Sequence, residues 1–384
     1  MKKLIALLLA GVILIAGCAR NDMPHEPQTL TDIEYFPEHI SDFDPNAPYI
    51  TIQGRKYNTS LTELWLTGAT DADVEKLKDM VNLEILSLQK GTVSDISPLS
   101  ELTNLLSLDL SYNRISDISP LSELVNLRGL FLTDNRIDDI SPLEGLINII
   151  WIDIGGNNII DISHLKQMSE LETLFIYRNS ISDISPVVGM ANLQWISMGG
   201  NQISDISPLS ETPNLWRMYA SDNQITDVSP LSELTSFWEL QLSRNQISDI
   251  SPLSGLIGLS ELLLSDNPIS DISPLAGLTR LKTLGLSGCN ISDISPLSEL
   301  NNLMYLSLTN NQITDISTLA GLERLYDVGL AYNQITDITP LKTCTRLFSI
   351  NLTDNPISDE QKTLLEEALL STRVYFDMHV ITVP

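Results

Sequence analysis

The chain has 384 residues, 43% of them hydrophobic, and carries 22 Lys and Arg against 49 Asp and Glu, for a formal net charge of −27. So acidic a surface repels phosphate backbones and anionic headgroups, which makes nucleic acid and anionic membrane surfaces poor partners. The apolar content is enough for a continuous core.

The N-terminus opens with Lys2 and Lys3, followed by an apolar run from Leu4 to Ile15 and then Ala16, Gly17 and Cys18. A positive start and a short hydrophobic stretch mark a secretory signal, residues 1–17. The segment Leu14-Ile15-Ala16-Gly17-Cys18 resembles a bacterial lipobox, which implies that Cys18 is lipidated and becomes the new N-terminus. The plainer alternatives are a signal cleaved at a nearby small residue, or an uncleaved anchor. Several acyl chains on one residue would hold the protein stably on a membrane. No other segment is long and apolar enough to span one. Removing residues 1–17 takes away two lysines and no acid, so the mature charge becomes −29. Residues 18–46, rich in Pro and acids beyond Asn21, read as a tether. Residues 47–60 read as an N-terminal β cap, with Tyr49-Ile50-Thr51-Ile52 and Lys56-Tyr57 forming a hairpin.

From residue 61 to 357 an LxxLxLxxN pattern returns every 22 residues without an insertion or deletion. Its last position falls at residues 69, 91, 113 and so on to 355, fourteen in all, eleven of them Asn; the exceptions are Ala69, Gly91 and Cys289. A period this strict means one supersecondary unit stacked on itself, an α/β solenoid of about fourteen turns. In one turn, Leu105, Leu108 and Leu110 precede Asn113, and Ile115, Ile118, Leu121 and Leu124 follow it. The Leu-x-Leu alternation is a short strand with one buried face. An Asn amide both donates and accepts, so the Asn column is read as a ladder satisfying backbone groups at each bend. Cys289 fits that column as a weak donor.

The return segment reads Ser-Asp-Ile-Ser-Pro-Leu in most turns, with Pro at ten positions from 98 to 340. A Ser cap followed by Pro predicts a short helical or 3₁₀ turn on the convex side. Four residues after each ladder position stands an Asp, from Asp73 and Asp95 to Asp337 and Asp359. A line of carboxylates raises a calcium reading. Calcium needs several oxygens converging on one point, and the Gly-rich nonapeptide that supplies them in β-helices is absent. Local capping of backbone N–H groups is the preferred role.

The aromatics break the repeat. Fifteen lie between Leu61 and Asn355, and all fall within the eight residues before a ladder position. Residues six, four and two before the ladder alternate with the buried leucines and point out of the sheet. Eight aromatics hold those places: Trp65, Phe131, Trp151, Phe175, Tyr177, Trp195, Tyr219 and Tyr305. Six of them, Phe131 to Tyr219, fall on five consecutive turns, with Trp216 and Trp238 at the strand edge and Arg178, Arg217, Asp153 and Glu239 interleaved. At about 150–250 Å² each they are expected to form an exposed patch larger than a protein leaves open without purpose. Trp, Tyr and Arg together are the composition of interface hot spots. The expected site is therefore Phe131, Trp151, Asp153, Phe175, Tyr177, Trp195, Arg217 and Tyr219. A protein partner would use these as anchors; a polysaccharide would stack sugar rings on Trp151, Trp195 and Tyr219; a structural spacer would use none of them.

Residues 358–384 are read as the C-terminal cap: an amphipathic helix over Ser358 to Leu370 with Leu364, Leu365, Ala368 and Leu369 on one face, and a strand pair at Val374 to Phe376 and Val380 to Val383. Cys289 and Cys344 stand at core positions two and a half turns apart, too far for a disulfide. His25, His39, His164 and His379 are scattered, and no phosphate loop or histidine pair at metal spacing is found. No catalytic residue, cofactor or metal is expected.

The 22-residue unit with its Asp-Ile-Ser-Pro-Leu return, as in Ser116 to Leu121 and Ser248 to Leu253, resembles the internalin-type leucine-rich repeats of bacterial surface proteins. That resemblance covers about Leu61 to Asp359. It implies a horseshoe with a parallel sheet on the concave face and short 3₁₀ turns on the convex face, capped at both ends. It also implies a non-enzymatic recognition surface that grips a protein partner, here on a monomeric, lipid-anchored, extracytoplasmic chain.

Overall fold

The structure, a computed structural model, describes residues 46–377. The signal segment, Cys18, the tether and the Val380 to Val383 strand lie outside the described residues. The described chain begins with an antiparallel hairpin, β1 (Tyr49–Ile52) and β2 (Arg55–Asn58), in which Tyr49 faces Asn58 and Ile52 faces Arg55. Gln53 and Gly54 between them have φ of 49° and 78°. Two successive positive φ values are the demand of a two-residue turn twisted like its strands, and Gly meets it freely. The hairpin drives Ile52 into the core at the first turn of the stack.

Fifteen strands follow in one parallel sheet whose order is the chain order, from β3 (Glu63–Thr67) to β17 (Arg373–Tyr375). The strands between are short, as in β6 (Gly129–Phe131), β7 (Trp151–Asp153), β8 (Thr173–Phe175), β9 (Trp195–Ser197), β10 (Arg217–Tyr219), β11 (Glu239–Gln241), β12 (Glu261–Leu263) and β16 (Ser349–Asn351). From β3 to β16 pairing joins residues 22 apart, for example Trp195, Arg217 and Glu239 across β9, β10 and β11, and only the capping β17 departs, with Ser349 opposite Arg373. A constant offset equal to the repeat stacks each column of side chains on itself. Leu and Ile columns therefore fill one unbroken core from Ile52 to Phe376.

The Asn column forms the expected ladder. Asn245 Nδ2 donates to Ala220 O and Leu242 O, both at 3.0 Å, while its Oδ1 accepts from Ile225 N at 3.0 Å. Each amide thus closes its own bend and bridges to the turn before. Where Cys289 replaces Asn, its thiol contacts Leu264 O at 3.7 Å, and Ile269 N donates to Asn267 O at 2.8 Å instead of to a ladder amide.

The convex turns are 3₁₀ segments such as Ser119–Leu121, and their capping differs from the expectation. Ser occupies the first position of the turn, not the cap, and its backbone N–H is taken by the Asp two residues earlier. Asp117 Oδ1 accepts from Ser119 N at 2.8 Å, and the same bond recurs in twelve successive turns from Asp95 to Asp337. The N–H groups that a Ser cap would serve are taken by the backbone, Leu121 N donating to Ile118 O at 3.0 Å and Ser122 N to Ser119 O at 3.2 Å, so the Asp carboxylate serves the Ser N–H that the turn leaves open.

After β16 comes helix α2 (Asp359–Ala368), preceded in the chain by the short α1 (Asp71–Val74); Ser358 caps α2 by accepting from Gln361 N. Of the four expected core residues only Leu365 and Leu369 are buried, whereas Leu364 and Ala368 face solvent. The last turn offers a patch one side chain wide, so i, i+4 suffices. The strand β17 then covers the open edge of β16, with Ile350 opposite Val374.

Candidate functional site

The outward face of β6 to β11 is built from two columns. Six residues before the ladder the side chains run Gly129, Trp151, Thr173, Trp195, Arg217, Glu239; four before it they run Phe131, Asp153, Phe175, Ser197, Tyr219, Gln241. Large and small alternate from Gly129 to Trp195 in the first column and from Phe131 to Tyr219 in the second, and the two alternations are out of step. Every ring therefore leans into the space beside a Gly, Thr, Asp or Ser on the neighbouring strand. The result is a herringbone: Phe131 on Trp151 at 5.4 Å, Trp151 on Phe175 at 6.2 Å, Phe175 on Trp195 at 4.6 Å, and Trp195 on Tyr219 at 5.8 Å, all edge to face.

This corrects the expectation of an open patch. Trp151, Phe175, Trp195 and Tyr219 are only 3%, 0%, 2% and 9% exposed, forming a second hydrophobic core on the concave side, flanked by half-buried Phe131 and Tyr177. All eight expected residues are thus brought together, the six aromatics chiefly against one another, with Arg217 over Trp195 and Asp153 between Phe131 and Phe175. The indole N–H groups of Trp151 and Trp195 are buried without an acceptor among the described residues. Each such loss costs about 1–3 kcal/mol. Burying ~150–250 Å² per ring is worth roughly 4–6 kcal/mol at ~25 cal/mol/Å², so the packing wins.

The polar members also bond inward. Arg217 Nε lies 2.8 Å from Glu239 Oε2, an ion pair whose N–H points off the contact axis. Its guanidinium stacks 4.5 Å above Trp195 and 4.7 Å above Trp216, with Trp238 at 5.8 Å. Tyr219 Oη donates to Glu239 Oε1 at 2.6 Å, and Gln241 Nε2 donates to Glu239 and Glu261, each at 3.2 Å. The Tyr219 phenol is held protonated, above its ordinary range, by burial and by the Glu239 charge. Arg178 sits 3.6 Å from Asp134 on the turn beyond the strands.

Asp153 lies between Phe131 and Phe175 in the same column and is fully enclosed. Its Oδ1 accepts from Gly155 N at 3.0 Å and it shares the Thr133 hydroxyl. Burial is the main force lifting its pKa to about 7, and the Asp109 and Asp134 charges add to it. Tyr177 closes over this acid, and a Cβ on Gly155 would sit 2.5 Å from the Tyr177 ring. Gly155 is the missed member of the site. Its signal was visible as a gap in the column two before the ladder, one turn ahead of a tyrosine.

What remains open is the margin of the cluster. Trp238 is 46% exposed at the strand edge, Phe131, Tyr177, Trp216 and Arg217 are half-buried, and Trp65 and Tyr305 stand on other turns. Among the described residues no three His, Cys, Asp or Glu gather where a metal ion could be held.

A family model described as Leucine Rich repeats (2 copies) matches residues 103–145, 239–277, 257–299 and 279–321. The crystal structure of an internalin, InlF, from Listeria monocytogenes is 36% identical, covering 80% of this chain and 91% of its own, with a TM-score of 0.74. A leucine-rich-repeat protein of Leptospira interrogans shares the fold at 22% identity, over 83% of this chain and 90% of its own, with a TM-score of 0.76. So does the ectodomain of the Arabidopsis thaliana receptor kinase GASSHO1/SCHENGEN3, in complex with Casparian strip integrity factor 2, at 20% identity over 76% and 41% and a TM-score of 0.62. No curated protein matches the chain. The unbroken 22-residue stack, the Asn ladder and the identity to InlF together make this chain a member of the internalin-type leucine-rich-repeat family, a class of binding scaffolds.

Proposed function

We propose that this protein is a non-catalytic, lipid-anchored receptor at the outer face of a bacterial membrane, which grips a protein partner on its concave face at β6 to β11. The observation that carries this reading is the herringbone of Trp, Phe and Tyr with a stacked, ion-paired arginine. A rigid, presatisfied surface loses little entropy on association, which is how a scaffold converts modest open area into affinity. The partner would seat on the half-buried margin, Phe131, Tyr177, Arg217 and Trp216, while Trp151, Phe175, Trp195, Tyr219 and Asp153 hold that margin in place. The polysaccharide alternative on Trp151 and Trp195 loses its support, because rings so enclosed have no free face for a sugar.

The test is capture of surface proteins by the native chain and by a Phe131→Ala/Trp216→Ala variant, with urea midpoints as the check on folding. A partner retained by the native form alone supports the reading, whereas equal retention by both would remove the concave margin from the binding site. The anchor is tested separately by Cys18→Ser, which should shift the protein from the membrane to the soluble fraction. Among the described residues no helix is long and apolar enough to cross a membrane.

A further inference from the structure

The approach to each strand, seven to ten residues before the ladder, forms one lateral edge of the solenoid. Across the first eight turns that edge carries one cation, Arg128, and three acids, Glu84, Glu170 and Glu172; across the last six it carries Arg280, Lys282, Arg324 and Arg346 against Glu323 alone. In a chain of net charge −27 such a reversal is local and strong. All four cations are exposed, and none is in an ion pair among the described residues.

Two shallow depressions occupy this edge. One, of 240 Å³, is lined by Trp238, Gly258, Ser260, Arg280, Lys282 and Asn302; the other, of 450 Å³, by Glu323, Arg324, Thr343, Thr345 and Arg346. Arg324 Nη1 donates to Asn302 Oδ1 at 2.8 Å, which joins the two and fixes a guanidinium between them. Beyond them Tyr326 stacks on Phe348 at 5.2 Å, and the exposed Arg373 lies 4.7 Å over Phe348. The trough spans six turns, about 24 Å at the usual ~4.8 Å strand spacing.

We propose that this edge is a second binding site, adjoining the concave cluster at Trp238 and running away from it, for an acidic polysaccharide whose repeating unit carries a carboxylate. Guanidinium forks match carboxylates two bonds at a time, and unpaired cations on an acidic protein gain most from an anionic chain. The row is linear and open, with cations on three of the last four turns and neutral hydroxyls and an amide between them, which suits a polymer that carries its charge along one direction. Trp238 offers an open ring at one end for a sugar ring to stack on, which the buried concave tryptophans do not.

The test is affinity electrophoresis of the full chain in gels carrying polygalacturonate, with poly-glutamate and duplex DNA as parallel arms. The native protein should be retarded by polygalacturonate more than by either comparator. The variant Arg280→Gln/Lys282→Gln/Arg324→Gln/Arg346→Gln, with an unchanged urea midpoint, should bind roughly tenfold more weakly or worse, by the loss of four exposed ion pairs. Trp238→Ala should weaken retention as well, and Arg55→Gln, which removes an exposed cation of the N-terminal hairpin, should leave it unchanged. Retardation by poly-glutamate or DNA equal to that by polygalacturonate would overturn the polysaccharide assignment. Undiminished binding by the fourfold variant, or no retardation of the native chain, would overturn the site.

Discussion

Replacing Asp153 by Asn should stabilise the protein at neutral pH and flatten its pH dependence. The folded pKa near 7 stands about three units above the ordinary 3.8. At ~1.4 kcal/mol per unit the difference is worth up to about 4 kcal/mol. The sign follows from the direction. Between about pH 4 and pH 7 the folded chain keeps a proton that the unfolded chain has released, so stability falls as pH rises through that window and is level above it. In the Asp153→Asn variant the introduced amide would still accept from Gly155 N through its oxygen and would carry no charge to bury. Urea midpoints of native and Asp153→Asn protein at pH 4.5 and pH 8 decide the matter. The two should nearly coincide at the lower pH, and the variant should be clearly more stable at the higher one. Parallel pH slopes, or a variant weaker at pH 8, would refute the account of Asp153 as a buried, charge-averse acid. Asp109 is also raised by burial, so Asp109→Asn should flatten the profile further.

Trp195→Ala should cost about 3–5 kcal/mol because it empties a packed site, whereas Trp238→Ala at the open margin should change the urea midpoint little. Asn245→Ala removes bonds to Ala220 O, Leu242 O and Ile225 N, and should cost roughly 2–4 kcal/mol in the same assay, with Asn245→Cys milder. Gly155→Ala should displace the Tyr177 ring and cost about 1–3 kcal/mol, visible as altered tyrosine fluorescence in the folded protein. The convex carboxylates act with the opposite sign to Asp153: Asp117, Asp161 and Asp205 are held below the ordinary range by their Ser N–H bonds, so stability should fall as pH drops below about 4. A urea-midpoint series from pH 5 to pH 2.5 measures it.

The fold was readable from residues because the solenoid copies its environment. Each Leu, Ile or ladder Asn meets the same neighbours 22 residues away, so the pattern that names its column also names its contacts. The single Cys in that column could be placed for the same reason, and so could the capping Asp. That Ser is the first residue of the turn and not its cap was decided by backbone geometry, which leaves the Ser119 N–H to Asp117 and gives Leu121 N and Ser122 N to backbone carbonyls. The aromatic cluster was visible as a bias in position. Its burial was not visible, because it depends on two columns being read against each other: Trp151 is covered by Phe131 and Phe175 from adjacent strands, in spaces left by Gly129, Thr173 and Asp153. The cationic edge is the same kind of fact. Arg280, Lys282, Arg324 and Arg346 are 66 residues apart from first to last, and only the stacking of turns puts them in one trough. Periodicity alone thus determined the columns, whereas the lateral packing of unlike columns, a property of three-dimensional neighbours, decided which side chains are covered and which are left to meet a ligand.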